Sequence, residues 1–190
     1  MRLPVIKLFS TLLMALTFCV LTGCKSDAES PFGIKWNSTI DEFPSSKLMT
    51  VNRIPQGEGE DMIYTTSAPE NGLGTGSYRF YFSHQKLVKI VFSTYDITGP
   101  DTEEKAKSTY EQYKKTITGM LGAPVKIDEK VYLTEFLFVP CITNEKCGAW
   151  KSYFSGESSK AILSIEMGLN QEGYRETRRS ARISIAFTPK

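Results

Sequence analysis

Few residues in this chain are equipped for covalent or acid–base chemistry. It holds one histidine, His84, four cysteines (Cys19, Cys24, Cys141 and Cys147), and a crowded set of carboxylates at Glu58, Glu60 and Asp61. A catalytic histidine needs a nucleophile beside it and an acid that fixes its tautomer, all on rigid supports. His84 falls in "FSHQK", between two alternating apolar runs, where a hairpin turn and a solvated side chain are expected. Glu58, Glu60 and Asp61 lie in the glycine-spaced stretch "PQGEGEDM", which reads as a solvated loop. A general acid needs burial to raise its pKa. A weak calcium site on the same loop is the lesser reading, because the EF-hand spacing is missing. G-x-S-x-G, H-E-x-x-H and phosphate-cradling glycine motifs do not occur. The expectation is a non-catalytic protein without cofactor or metal. A hydrolase built from carboxylates on distant strands is the third-ranked alternative.

The first segment, "MRLPVIKLFSTLLMALTFCVLTGC", has a basic head at Arg2 and Lys7, an uncharged run from Leu8 to Gly23, and small residues at its end. That is the anatomy of a signal peptide. The apolar run falls short of the roughly 20 residues that cross a bilayer. Its closing "LTGC" (Leu21, Thr22, Gly23, Cys24) resembles the lipobox of bacterial lipoproteins. The resemblance implies cleavage before Cys24, a diacylglycerol on its thiol and an acylated new N-terminus. Residues 1–23 would then be a signal peptide, and residues 24–30 a lipidated tether to the lipid bilayer. Each buried CH₂ of such chains contributes about 0.8 kcal/mol of membrane affinity. The alternative is an ordinary cleaved signal peptide with a chance cysteine. Lys25, not Asp, follows Cys24. In the lipoprotein class of Gram-negative hosts, this implies onward transport to the outer membrane, facing the periplasm.

Removing residues 1–23 changes the rest of the reading. The 23 basic and 21 acidic side chains lose Arg2 and Lys7, leaving a formal charge of zero. Nucleic-acid binding needs a strong positive field and is excluded as an expectation. Cys19 leaves with the signal and Cys24 is acylated. The remaining pair, in "PCITNEKCG", reads in an exported protein as a Cys141–Cys147 disulfide. A redox pair lacks the C-x-x-C spacing, and a metal site lacks a histidine. Arg175, Arg178, Arg179 and Arg182 form the densest charge cluster. Their guanidinium forks suit an acidic partner or anionic headgroups. The simpler reading is a solvated loop with Glu172 and Glu176 as counterions.

The elements that would position these residues fall within 31–190, expected as one α+β domain. Phe32, Ile34 and Trp36 alternate as in a strand, and Asn37, Ser38 and Thr39 can cap a short helix stopped by Pro44. Over residues 31–48 this opening is similar to that of outer-membrane lipoproteins that assist β-barrel assembly. Those proteins commonly carry glycine at the position of Asn37, and no function is carried over. "SYRFYFSHQKLVKIVFSTY" predicts a hairpin, and "LMTVNRI" and "DMIYTTS" predict short strands. "PDTEEKAKSTYEQYKKTITGMLGAP" predicts the main helix, with Asp101 and Glu104 spaced as a capping box and an apolar stripe at Ala106, Tyr110, Tyr113, Ile117, Met120 and Leu121. "VYLTEFLFV", "AWKSYF", "AILSIEM" and "SARISIAFTP" predict four strands of an antiparallel meander with the disulfide at one end. The predicted fold is an antiparallel sheet packed on one main α-helix. Trp36, Trp150, Tyr153 and Tyr174 are candidate binding aromatics, each more often core.

Two functions suit a tethered domain of this kind. The first is a non-catalytic, membrane-anchored lipoprotein that binds an envelope protein or component. The second is an anchored immunity, inhibitor or exclusion protein acting against a toxin, lysozyme or phage component.

Overall fold

Alternation of apolar and polar residues builds most of the strands, and the nine described strands pair in a single sheet. A computed structural model describes residues 28–48, 50–133, 137–144, 146–169 and 176–190. The predicted signal segment, Cys24 and Lys25, together with Tyr174 and Arg175, lie outside the described residues. The strands are β1 (Asn52–Gly57), β2 (Glu60–Thr65), β3 (Ser77–Ser83), β4 (Lys86–Ser93), β5 (Ile97–Thr98), β6 (Lys126–Val131), β7 (Gly148–Ser155), β8 (Ser159–Leu169) and β9 (Glu176–Pro189). The helices are α1 (Thr102–Leu121) and the short α2 (Phe138–Ile142). The sheet order is β1-β2-β3-β4-β9-β8-β7-β6, with β5 also paired to β9, and every pairing is antiparallel. The chain is therefore α+β, an antiparallel sheet packed against one main helix.

Register assigns each face. One row runs Thr65–Tyr78–Phe92–Ile185–Leu163–Ser152 across the sheet, and its neighbour runs Ile63–Phe80–Ile90–Phe187–Ala161–Phe154. All of these are buried. α1 covers the β7–β9 half of this face through Ala106, Tyr110 and Ile117, all fully buried. Phe32, Ile34, Trp36, Ile40 and Phe43 join the same core, with Phe43 edge-on to Phe80 and Phe82 and Phe32 edge-on to Tyr78 and Phe187. The β3–β4 turn is made by His84 and Gln85 at φ 47° and 66°, the left-handed pair a tight hairpin needs.

Several sequence expectations change. Phe32, Ile34 and Trp36 do alternate, yet their backbone makes only the isolated bridge Glu29–Lys35 and tight turns, and no strand. These side chains are buried because the segment lies across the sheet. Asn37 sits at φ 64°, a conformation that suits Gly or Asn. "PQGEGEDM" is not a loop but the end of the β1–β2 hairpin, with only Glu58 and Gly59 in the turn. The strand predicted over "LMTVNRI" begins later, at Asn52, and every residue of β1 is exposed, so no alternation marked its bounds. "VYLTEFLFV" is not one strand: β6 ends at Val131, and Phe138 and Val139 open α2, whose apolar side packs on Trp150. The Asp101–Glu104 capping box does not form; the Asp101 carboxylate pairs with Lys105 at 3.0 Å, which holds its carboxyl below the usual range. Met120 leaves the helix stripe and is exposed.

Candidate functional site

The sequence-predicted chemistry disperses over the fold. Asp61 and Glu60 are adjacent on β2 and so point to opposite faces of the sheet. Arg53 of β1 clamps Asp61 with two hydrogen bonds, Nε at 3.1 Å and Nη2 at 2.8 Å, and this bond holds the Asp61 carboxyl below its ordinary value. Glu60 accepts from the Ser83 hydroxyl at 2.7 Å, and His84 Nδ1 lies 3.2 Å from the same hydroxyl. His84 is exposed at the turn, with its amide bonded to the Gly59 carbonyl. Serine stands between the acid and the histidine here, the reverse of the order a nucleophilic triad needs.

The Cys141–Cys147 disulfide forms, with Cα atoms 5.0 Å apart. It ties α2 to the start of β7 and lies beside the Leu133 carbonyl. Both sulfurs are buried. Lys107 lies over the rings of Phe138 and Trp150 at 4.4 and 4.6 Å, so the same small subdomain is pinned to α1 from above. Replacing both cysteines by serine is expected to lower stability by about 2 kcal/mol, the loop-entropy value for so short a ring. Urea unfolding of the oxidised and reduced protein measures it.

Four residues converge between α1 and the sheet, of which the sequence singles out only Tyr110, as part of the apolar stripe. Glu129 Oε1 accepts from Lys114 Nζ at 2.7 Å, Tyr110 OH at 2.9 Å and Ser152 Oγ at 2.9 Å. Tyr110 OH also lies 2.8 Å from Ser152 Oγ. Each hydroxyl carries one proton, so the set is satisfied when Ser152 donates to Glu129 and Tyr110 donates to either acceptor. Burial pushes the Glu129 carboxyl up, but the Lys114, Tyr110 and Ser152 bonds outweigh it and hold the carboxyl below its ordinary value. Burial drives the Tyr110 phenol well above its ordinary range. A serine, tyrosine and lysine in contact resemble proton-transfer machinery, but Tyr110 is fully buried and its hydroxyl is turned inward. The cluster fastens α1 to β6 and β7. No local pattern announced it, because the partners come from three elements.

Of the predicted arginine cluster, only Arg182 has a described side chain. Arg182 is half-buried, with Nε 3.6 Å from Glu166 Oε2, an ion pair too long for a hydrogen bond. Pairing jumps from Met167–Ala181 to Gly168–Thr177, so Arg178 and Arg179 lie on a bulge of β9. That bulge is at the end of the sheet opposite Ser159, to which Trp36 Nε1 donates at 2.9 Å. Ala28, the first described residue, accepts from the Trp36 amide at that near end. β8 has 11 residues, so the two ends are about 34 Å apart at roughly 3.4 Å per residue.

What remains is a surface. α1, α2 and the segment from Phe32 to Phe43 all lie on one face of the sheet, and among the described residues no element covers the other. Register lays out this open face in rows. One crosses eight strands as Asn52–Tyr64–Arg79–Val91–Ala186–Ile162–Tyr153–Lys126. The next runs Ser77–Ser93–Ser184–Ser164–Lys151–Asp128. Its middle is a line of serines, low between taller side chains: Ser93, Ser184 and Ser164 are buried, and Arg79 Nη2 donates to Ser93 Oγ at 2.8 Å. Ile162 is 41% exposed nearby. Lys89 lies over the Tyr81 ring at 5.3 Å, and Lys126 over Tyr153 at 5.1 Å. Of the predicted binding aromatics, Trp36 is core and Trp150 lies half-buried under Lys107, while Tyr153 stands on the open face. A further cleft of about 570 Å³ lies between the N-terminal turns and Glu70, with Lys47 and Glu70 paired across it at 3.0 Å. No protein family, no curated protein and no solved structure matches this chain.

Proposed function

We propose that this chain is a lipoprotein, acylated at Cys24 and held on the periplasmic face of the outer membrane, whose domain binds an envelope protein or component without catalysing a reaction. The observation that carries the binding part is the uncovered sheet face. A two-layer α/β arrangement covers one side of its sheet, and here the other side is left as a broad surface of tyrosine, lysine and small residues. The anchor rests on "LTGC" at the end of an apolar segment. Ala28 lies four positions after Cys24, so a tether of at most about 14 Å separates the bilayer from the near end of the sheet. In that orientation Arg178 and Arg179 are at the far end, away from the protein's own membrane. The same open face favours a second reading, a tethered inhibitor that occludes a toxin, lysozyme or phage component.

Palmitate labelling with membrane fractionation tests the anchor. Wild-type protein is expected to take up label and float with the outer membrane, and Cys24→Ser is expected to lose both properties. A labelled, membrane-bound Cys24→Ser protein sinks the proposal.

A further inference from the structure

We infer that the open sheet face docks an acidic, convex protein surface; the inference rests on the binding reading above and names its partner class. Lys89, Lys126, Lys151 and Lys160 surround the middle of the face, and among the described residues none of them is in an ion pair. Against these lysines, Arg79 and Arg182, the same face carries three carboxylates: Glu166, paired with Arg182, Asp128, which accepts from the Tyr132 hydroxyl at 3.4 Å, and Glu60 at its edge, which accepts from the Ser83 hydroxyl at 2.7 Å. The chain after Gly23 has no net side-chain charge. This face is therefore a local positive field on a neutral molecule, and its complement is anionic.

Shape separates a protein from a bilayer. The centre is built of Ser93, Ser184, Ser164 and Ala186, while tyrosine, arginine and lysine rise on both sides. A planar headgroup surface meets the rims and leaves the floor empty. A protruding helix or hairpin fills it, with Ile162 as apolar anchor and the tyrosines and lysines gripping its flanks. The chain also enters the domain from the covered side, since Trp36 lies in the core and its amide bonds Ala28. Laying the open face on the bilayer would wrap that short tether around the sheet end.

The test uses the mature protein in detergent and two probes: a fluorescein-labelled glutamate-rich peptide, and vesicles of phosphatidylethanolamine and phosphatidylglycerol. The peptide is expected to bind with strong salt dependence and to shift the amide resonances of Ala186, Ile162 and Tyr153. Lys89→Glu, Lys151→Glu and Lys160→Glu together are expected to weaken binding by about tenfold or more. Lys105→Glu, Lys115→Glu and Lys146→Glu make the same charge change on the helix and disulfide side, and are expected to weaken it far less. Thermal unfolding checks that both triple variants fold. Equal weakening by the two triples, or shifts confined to α1, overturns the inference. Vesicle binding through the face lysines without peptide binding assigns the face to headgroups and overturns it as well. Acyl labelling of Cys24 is read separately, so loss of label leaves the titration standing and a blank titration leaves the anchor standing.

Discussion

Trp36→Ala is expected to lower the unfolding free energy by about 3–5 kcal/mol, the usual cost of emptying a buried aromatic site. The ring is 2% exposed, and its indole N–H donates to Ser159 Oγ, itself buried, at 2.9 Å. The substitution opens a cavity beneath the N-terminal turns and leaves a buried hydroxyl without its donor. Trp36→Phe separates the two effects: it keeps most of the ring volume and loses the bond, at a cost of about 1–2 kcal/mol. Trp150 stays as the fluorescent reporter in both variants, so urea unfolding by fluorescence and circular dichroism measures each. A loss below about 1 kcal/mol for Trp36→Ala would mean that the segment from Phe32 to Phe43 is not part of the cooperative core.

The second large effect is expected at Glu129. Its carboxylate and the Lys114 ammonium are each 17% exposed and 2.7 Å apart. Glu129→Ala is expected to cost about 3 kcal/mol, because it strands the partners of a largely buried charge. Glu111, 3.5 Å from Lys114, gives partial relief. The double variant Glu129→Leu/Lys114→Met is expected to lose less than the sum of the two single losses, as coupled partners do. The pH dependence has a definite sign. The folded pKa of Glu129 is depressed, so its contribution is complete above the unfolded value of about 4.3 and is lost as pH falls through the folded value. Burial lowers the Lys114 pKa, but the Glu129 bond and charge raise it overall. That contribution is complete below about pH 10.4 and is lost as pH rises through the folded value. Glu129→Gln is expected to flatten the acid limb of the stability profile. An unchanged acid limb would mean that the carboxylate gains nothing from its three donors.

Legibility followed periodicity. The stripe Ala106, Tyr110, Ile117 and the alternations Ala161–Met167 and Ala181–Phe187 are local patterns, and α1, β8 and β9 emerge where they predict. The Cys141–Cys147 bridge was legible from spacing. β1 was only half legible: "LMTVNRI" overlaps it at Asn52–Ile54, but an edge strand with both faces in solvent has no alternation to fix its bounds, and Pro55–Gly57 read as loop. Phe32, Ile34 and Trp36 misled in the opposite way: burial alternates without a strand because the segment crosses the sheet instead of joining it. The candidate site was the least legible. The serine row requires β4 beside β9, with Ser93 facing Ser184, and no window of sequence holds both. The Glu129 set likewise needs α1, β6 and β7 assembled first.

The place of β9 governs how such a chain can come together. It follows every other described strand in the sequence, yet it lies in the middle of the sheet, between β4 and β8. β1 to β4 can zip locally as one meander and β6 to β8 as another, but no strand of one half pairs with a strand of the other without it. A chain delivered N-terminus first, from a ribosome or through a membrane channel, holds two unfinished half-sheets until its last described strand arrives. Closure is then a single late event, in which Ile183, Ile185 and Phe187 bury against both halves at once. Long-range pairing of this kind is slow to nucleate. It also keeps the chain threadable while it is still in transit.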